Sequence, residues 1–326
     1  MEPHLEPQPI PEKATRPKLP LMVGFAITSV LVLLGLGGYF VYSSALTEVK
    51  TITRSHIDNL EKLEGTYAKI IKTLEEKPSE SKDTVNNLLK SKPRKLKDVN
   101  VQVLGAEDDL AIQINRKLAE HYKKGKSYLK AIKEQNIKLQ EVYHNPLMKP
   151  FLPDLGTLPT KTSETVATWD AIFTYLNESN TIEINAKTLG YQFGLAMQEA
   201  IVREADDESV AKLREKLLEL DSIFEQYKKL ETKGLPEDMQ KTHQDGLDSY
   251  NKDVAVFGEL VQGFEDKDVN QIEKSLQSMA IQGQSETTAS EIEMRNFWYD
   301  HDSVKQIEEL KEAWISYATN ALGIVL

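Results

Sequence analysis

Residues 21–42 read LMVGFAITSVLVLLGLGGYFVY, and these 22 positions hold no charged side chain. About 20 apolar residues in a helix span the ~30 Å hydrocarbon layer of a bilayer. A helix also satisfies its own backbone polar groups there, which an open strand cannot do. Nowhere else is the chain so uniformly apolar; later apolar residues recur singly, with a period. The expected architecture is therefore one membrane anchor followed by a large water-exposed body.

The flanks of this segment bear on its direction. Lys13, Arg16 and Lys18 precede it closely, and Lys50 is the nearest base after it. Positive side chains are retained on the cytoplasmic side, so the N-terminus is expected in the cytoplasm and the body outside it. Ser43-Ser44-Ala45 offers a cleavage site for the competing reading, a signal peptide with a mature start at Leu46. The apolar run exceeds the 7–15 residues usual for a signal, which favours a retained anchor. Within it, Gly24, Thr28, Leu31, Gly35, Gly38 and Tyr42 fall in steps of three and four. A face carrying Gly24, Thr28, Gly35 and Gly38 lets two membrane helices approach closely and provides a homodimer seam. Residues 1–20 hold six prolines and read as a disordered tail.

Charge divides the body. Residues 43–144 carry 20 bases against 15 acids, and residues 145–326 carry 17 bases against 33 acids. An acidic distal half argues against nucleic acid, whose phosphates require a concentrated basic face. The absence of cysteine excludes disulfides, thiolate metal sites, a cysteine nucleophile and a lipid-modified cysteine.

Helical periodicity runs through the body. Val49, Ile52, His56, Leu60, Leu63, Tyr67, Ile70 and Leu74 advance by three and four, forming a stalk helix stopped by Pro78. The same rhythm links Ala111, Ile114, Leu118, His121, Gly125, Leu129, Ile132, Asn136, Leu139 and Tyr143. Asn136 stands where a buried polar residue fixes register in coiled coils. Pro146, Pro150, Pro153 and Pro159, with Gly156, mark 145–162 as a linker. Beyond it, Ser163 is expected to cap a helix to about residue 177, and Asn180 with Glu183 a second one to about residue 205. Asp206 or Asp207 opens a third, Pro236 starts a fourth, Asp268 with Gln271 caps a fifth, and the last runs from about residue 286 to 322. The division is 1–20 tail, 21–42 transmembrane helix, 43–144 membrane-proximal helices, 145–162 linker and 163–326 acidic bundle. The fold class is all-α, a single N-terminal transmembrane helix followed by a helical-bundle, coiled-coil-like region.

Catalytic signatures are not found in the sequence: no glycine-rich phosphate loop, HExxH, nucleophile elbow or kinase motif. Asp266, Asp268 and Asn270 imitate a calcium loop, but Gln271 replaces the required glycine and Gln277 the bidentate glutamate. No cofactor or metal is expected, and the chain is read as no enzyme. Two places are candidate ligand or partner sites. Gly190 and Gly194 admit a close helix and, with Phe193, line an inter-helix groove. Phe297 to Asp302 groups three aromatic residues, two carboxylates and an imidazole, from which Trp298 and His301 are the candidates. The basic cluster Lys90, Lys92, Arg94, Lys95 and Lys97, with Lys123, Lys124 and Lys126, reads as a solvated face, a partner for the acidic half, or a contact to anionic envelope material.

The run Leu235-Pro236-Glu237, followed by Met239, His243, Leu247 and Tyr250, resembles a pattern in uncharacterised bacterial cell-envelope proteins with an N-terminal anchor and an extracytoplasmic helical bundle. This chain lacks the lipid-attachment cysteine found among them. The resemblance implies a bacterial cell-membrane setting and a structural or interaction role, and carries no catalytic residue. A ligand-sensing extracytoplasmic domain is the alternative function.

Overall fold

The computed structural model describes residues 19–75, 95, 96, 99, 110–279, 297 and 302–325; the side chains of residues 19–41 and of Ala111 lie outside that description. The elements are α1 (Leu19–Glu75), α2 (Leu110–His144), a 3₁₀ turn (Lys149–Phe151), α3 (Leu158–Val202), α4 (Asp207–Lys228), α5 (Glu237–Glu265), α6 (269–279) and α7 (Asp302–Asn320). Among the described residues there is no strand, and the fold is all-helical. No described helix is long and apolar enough to cross a membrane; residues 21–41, whose side chains are not described, fall outside that statement.

One 57-residue helix, α1, carries both the uncharged segment and the stalk. Its described residues run from Leu19 to Glu75. Its buried stripe is Val49, Thr53, His56, Leu60, Leu63, Tyr67, Ile70 and Leu74. That is the expected face, with Thr53 buried where the sequence pointed to Ile52.

Three helices pack on α1's face or on each other. Gln135 Nε2 donates to Ser55 Oγ (2.6 Å), and His121 Nε2 lies 3.2 Å from Thr73 Oγ1. Rising numbers on α1 therefore meet falling numbers on α2, so the two are antiparallel. Asn136 Nδ2 donates to the Pro159 carbonyl (2.9 Å) and Ser163 Oγ (3.0 Å), and Asn180 Nδ2 to the Asn115 carbonyl (2.5 Å). These bonds set α3 antiparallel to α2. Two tryptophans hold α7: Trp169 Nε1 donates to the Ser303 carbonyl and Trp314 Nε1 to Thr162 Oγ1, each at 3.0 Å. Lys311 pairs with Glu64 across α7 and α1. Each buried tryptophan thus places its ring in the core and its single donor on a partner. Because α2 lies between α1 and α3, it buries a second row, Asn115 and Tyr122, beside the one read from sequence.

Several expected boundaries are corrected. The two helices read from Ser163 and Asn180 are one, since α3 runs unbroken for 45 residues. Ser163 Oγ bonds back to the Pro159 carbonyl inside the helix, and Asn180 is buried and reaches across to α2. Both side chains satisfy themselves without ending a helix, an outcome local pattern cannot separate from capping. α3 also begins at Leu158, with Pro159 in its first turn, so 158–162 are helix and the non-helical connection is 145–157. Leu152 and Leu155 of this connection are buried in the core that α1, α2, the first half of α3 and α7 share. The paired glycines differ as well: a Cβ at Gly190 would meet nothing within 4 Å, so no helix packs closely there. Close approach occurs at Gly125, where a Cβ would stand 2.5 Å from the Phe173 ring.

A second core gathers Leu189, Phe193, Met197, Leu213, Leu220, Leu260, Phe264 and Ile272 from the second half of α3, α4, α5 and α6, with Leu96 and Val99. α3 therefore belongs to both cores and joins them without a loop. Asp206 caps α4 by accepting from the Ser209 N–H (2.9 Å), as its sequence position predicts. Pro236 is the residue before α5 rather than its first. Asp268 accepts from the Asn270 and Gln271 N–H groups and opens α6, which explains the false calcium loop as two helix ends meeting.

Candidate functional site

Between the two cores, α3, α4 and α5 bring three polar rings together. The Tyr175 hydroxyl lies 3.2 Å from the Tyr227 hydroxyl and 3.2 Å from His243 Nδ1. Tyr227 stacks on His243 with centroids 4.7 Å apart, Tyr250 meets Tyr227 edge-on at 4.8 Å, and Phe224 stacks on Tyr250. A Cβ at Gly246 would stand 2.9 Å from the Tyr227 hydroxyl, so glycine leaves room for that group. Burial holds Tyr175 well above the usual phenol range, raises Tyr227 as well, and pushes His243 below the usual imidazole range. The cluster is therefore neutral at ordinary pH. It is a hydrogen-bonded joint between α3, α4 and α5. Sequence spacing does not link Tyr175 to Tyr227, His243 and Tyr250; only the register between helices, which periodicity does not encode, brings them together.

A second histidine sits alone. His56 is 1% exposed, lies 4.5 Å from the Trp314 ring centroid, and neither ring nitrogen has a hydrogen-bond partner. Burial lowers its pKa to about 3. His121, half-buried beside Thr73, is also held below the usual range, first by burial and then by Lys124 and Lys69.

The sequence-derived candidates scatter. Phe193 is buried, its ring edge-on to Phe257 at 5.0 Å, and Gly194 is buried with it; Gly190 is half-buried. The open space nearby is a recess of about 360 Å³ lined by Asn185, Thr188, Leu189, Gln192, Glu219, Ser222 and Ile223, adjoining those three residues on α3. Trp298 and His301 lie outside the described residues; Phe297 is buried 6.3 Å from Trp169, and Asp302 begins α7. The surroundings of Gly24, Thr28, Gly35 and Gly38 also lie outside the description, although their backbone is part of α1. Of the basic cluster, Lys123 and Lys124 are exposed, and Lys126 donates to Thr174 Oγ1 (2.8 Å). Lys90, Lys92, Arg94 and Lys97 are not described. Among the described residues, no three histidines or carboxylates converge as metal ligands.

Comparison of the chain with protein-family models, curated proteins and solved structures finds no match.

Proposed function

We propose that this chain is a non-enzymatic, single-pass membrane protein of the cell envelope, whose helical body reaches away from the bilayer to bind a partner protein or an envelope component. The N-terminus is cytoplasmic and the body extracytoplasmic, in keeping with the basic residues before segment 21–42. The observation that carries the reading is the continuity of α1. The uncharged segment and the buried stripe from Val49 to Leu74 share one helix, so an anchor in the bilayer orients the whole body without a flexible joint.

Helix lengths give the reach. From Tyr42 to Glu75 α1 rises about 50 Å, and α3 continues roughly 33 Å past Asn180, which sits beside Asn115. The second core thus stands roughly 80 Å from the end of segment 21–42. Its residues 181–279 contain 21 acids and 12 bases. An acidic head on a long support suits recognition of a partner remote from the membrane. Lys123 and Lys124 lie level with Lys69, about 40 Å along α1 from Tyr42. That distance is several Debye lengths at physiological salt, so their counterpart is protein or polymer rather than headgroups. Pairing of two chains through Gly24, Thr28, Gly35 and Gly38 belongs to the same proposal.

The recess beside Leu189 and Gln192 favours one second reading, a ligand-sensing head. Carbonate washing of membranes and protease treatment of intact cells test the leading one. The chain is expected to stay with the membrane pellet and to lose its body to external protease. Release by carbonate would remove the anchor, and protection of the body in intact cells would reverse the topology. A small molecule that raises the melting temperature, lost on Gln192→Ala, would move the reading to sensing.

A further inference from the structure

The connection between α2 and α3 turns apolar side chains outward. In Asn145-Pro146-Leu147-Met148-Lys149-Pro150-Phe151, Leu147 is 73% and Phe151 63% exposed. They cannot fold inward, because the turn is held at each step. The Leu147 N–H donates to Asn145 Oδ1, the Met148 and Lys149 N–H groups to the Asn145 carbonyl, and the Phe151 N–H to the Met148 carbonyl. Pro146 and Pro150 fix φ, and the next residue, Leu152, is buried in the core. The Tyr143 hydroxyl donates to the Pro153 carbonyl, closing the turn on α2.

Where this turn sits decides what covers it. The antiparallel register of α1 and α2 passes from Thr73 beside His121 to Ser55 beside Gln135. Its continuation brings Phe151 to Tyr42, with ring centroids 6.0 Å apart and edge-on. Tyr42 is the last residue of segment 21–42, on a helix unbroken at that point. The other end of α7 converges there too: the Tyr317 hydroxyl meets that of Tyr143 and reaches the Pro153 carbonyl, and Val325 just beyond is 91% exposed.

We propose that Leu147 and Phe151 insert into the interfacial layer of the bilayer that α1 enters, with Lys149 directed to lipid phosphates, so that the body rests on the membrane through a second point. The proposal rests on the anchor reading above. Its chemistry is that of interfacial binding: an aromatic and an aliphatic side chain at the acyl boundary, an ammonium at the headgroups and Tyr42 at the same depth. A turn near the apolar end of α1 has bilayer as its neighbour, and exposed apolar residues there are covered rather than wasted. Two supports, one penetrating and one resting, fix the tilt of the body.

The test uses the full chain in phosphatidylcholine–phosphatidylglycerol vesicles containing lipid brominated close to the glycerol end of its acyl chains. Phe151→Trp and Leu147→Trp are each compared with the unsubstituted chain, whose own tryptophan emission is the background, and Phe25→Trp reports the anchor. The added emission at positions 151 and 147 is expected to fall roughly twofold with brominated lipid and to resist aqueous iodide. Quenching at 25 with none at 147 and 151, both open to iodide, overturns the proposal and leaves the anchor standing. No quenching at any of the three overturns the anchor reading and this proposal with it.

Discussion

His56 is a residue whose environment opposes its charge. Its ring lies against Trp314, and its two nitrogens are without partners. Its pKa falls from the ordinary 6.5 to about 3 in the fold, so the unfolded chain binds the proton more tightly. The contribution to stability is complete above pH 6.5 and is lost as pH falls toward 3. At about 1.4 kcal/mol per unit shift, acidification from pH 7.5 to 5 costs about 2 kcal/mol at this site. His243 and His121 shift in the same direction and add to the loss. Replacing a buried donor and acceptor that lack partners by an apolar group is close to neutral or stabilising. Urea unfolding of His56→Leu should therefore show unchanged or higher stability at pH 7.5 and a smaller drop at pH 5; an identical drop would mean the ring is not buried as described. At Gly125, a methyl group would stand 2.5 Å from the ring of Phe173, itself fully buried between Tyr122 and Trp169. Gly125→Ala is expected to cost about 1–3 kcal/mol, seen as a lower urea midpoint at constant slope.

The helices carry their own tests at their ends. α5 closes with the Lys267 N–H on the Phe264 carbonyl and the Asp268 N–H on the Gly263 carbonyl. That pair of bonds places Lys267 at φ 56°, where a side chain is strained and glycine is preferred. Lys267→Gly should raise stability by about 0.5–1 kcal/mol in thermal or urea melts, and a loss of that size would contradict the described end. Glu204 and Ala205 end α3 in the same way, at φ 53° each. No residue type in these two turns announces them, which is why the end of α3 was legible only to within a few residues. The apolar stripes were legible, since a periodic row such as Leu60, Leu63, Tyr67, Ile70 needs one burying face whatever covers it. Asn180 marks the limit: its side chain was read as a local cap, whereas its partner is the Asn115 carbonyl, 65 positions away in the chain. The same distance hid Tyr175, whose partners lie on α4 and α5. The Pro-rich connection was legible as non-helical, but not as a part of the proximal core, because only packing shows Leu152 and Leu155 inside it.

At the scale of the molecule, α1 and α3 are the two long members, one joining segment 21–42 to the first core and the other joining the first core to the second. Neither is interrupted, so segment 21–42, the first core and the second core are joined through helix and not through a linker. The chain has no cysteine, which makes single introduced thiols clean reporters of position. The most direct measurement is labelling of intact cells with a membrane-impermeant maleimide, for Gln8→Cys, Leu33→Cys and Leu218→Cys in the full chain. Leu218 is exposed on the acidic head. With segment 21–42 in the bilayer and the body outside, the thiol at 218 reacts in intact cells, the one at 8 only after lysis, and the one at 33 in neither while membranes remain. Ready reaction at 33 in intact membranes would rule out the anchor, and reaction at 8 without lysis and at 218 only after it would reverse the topology.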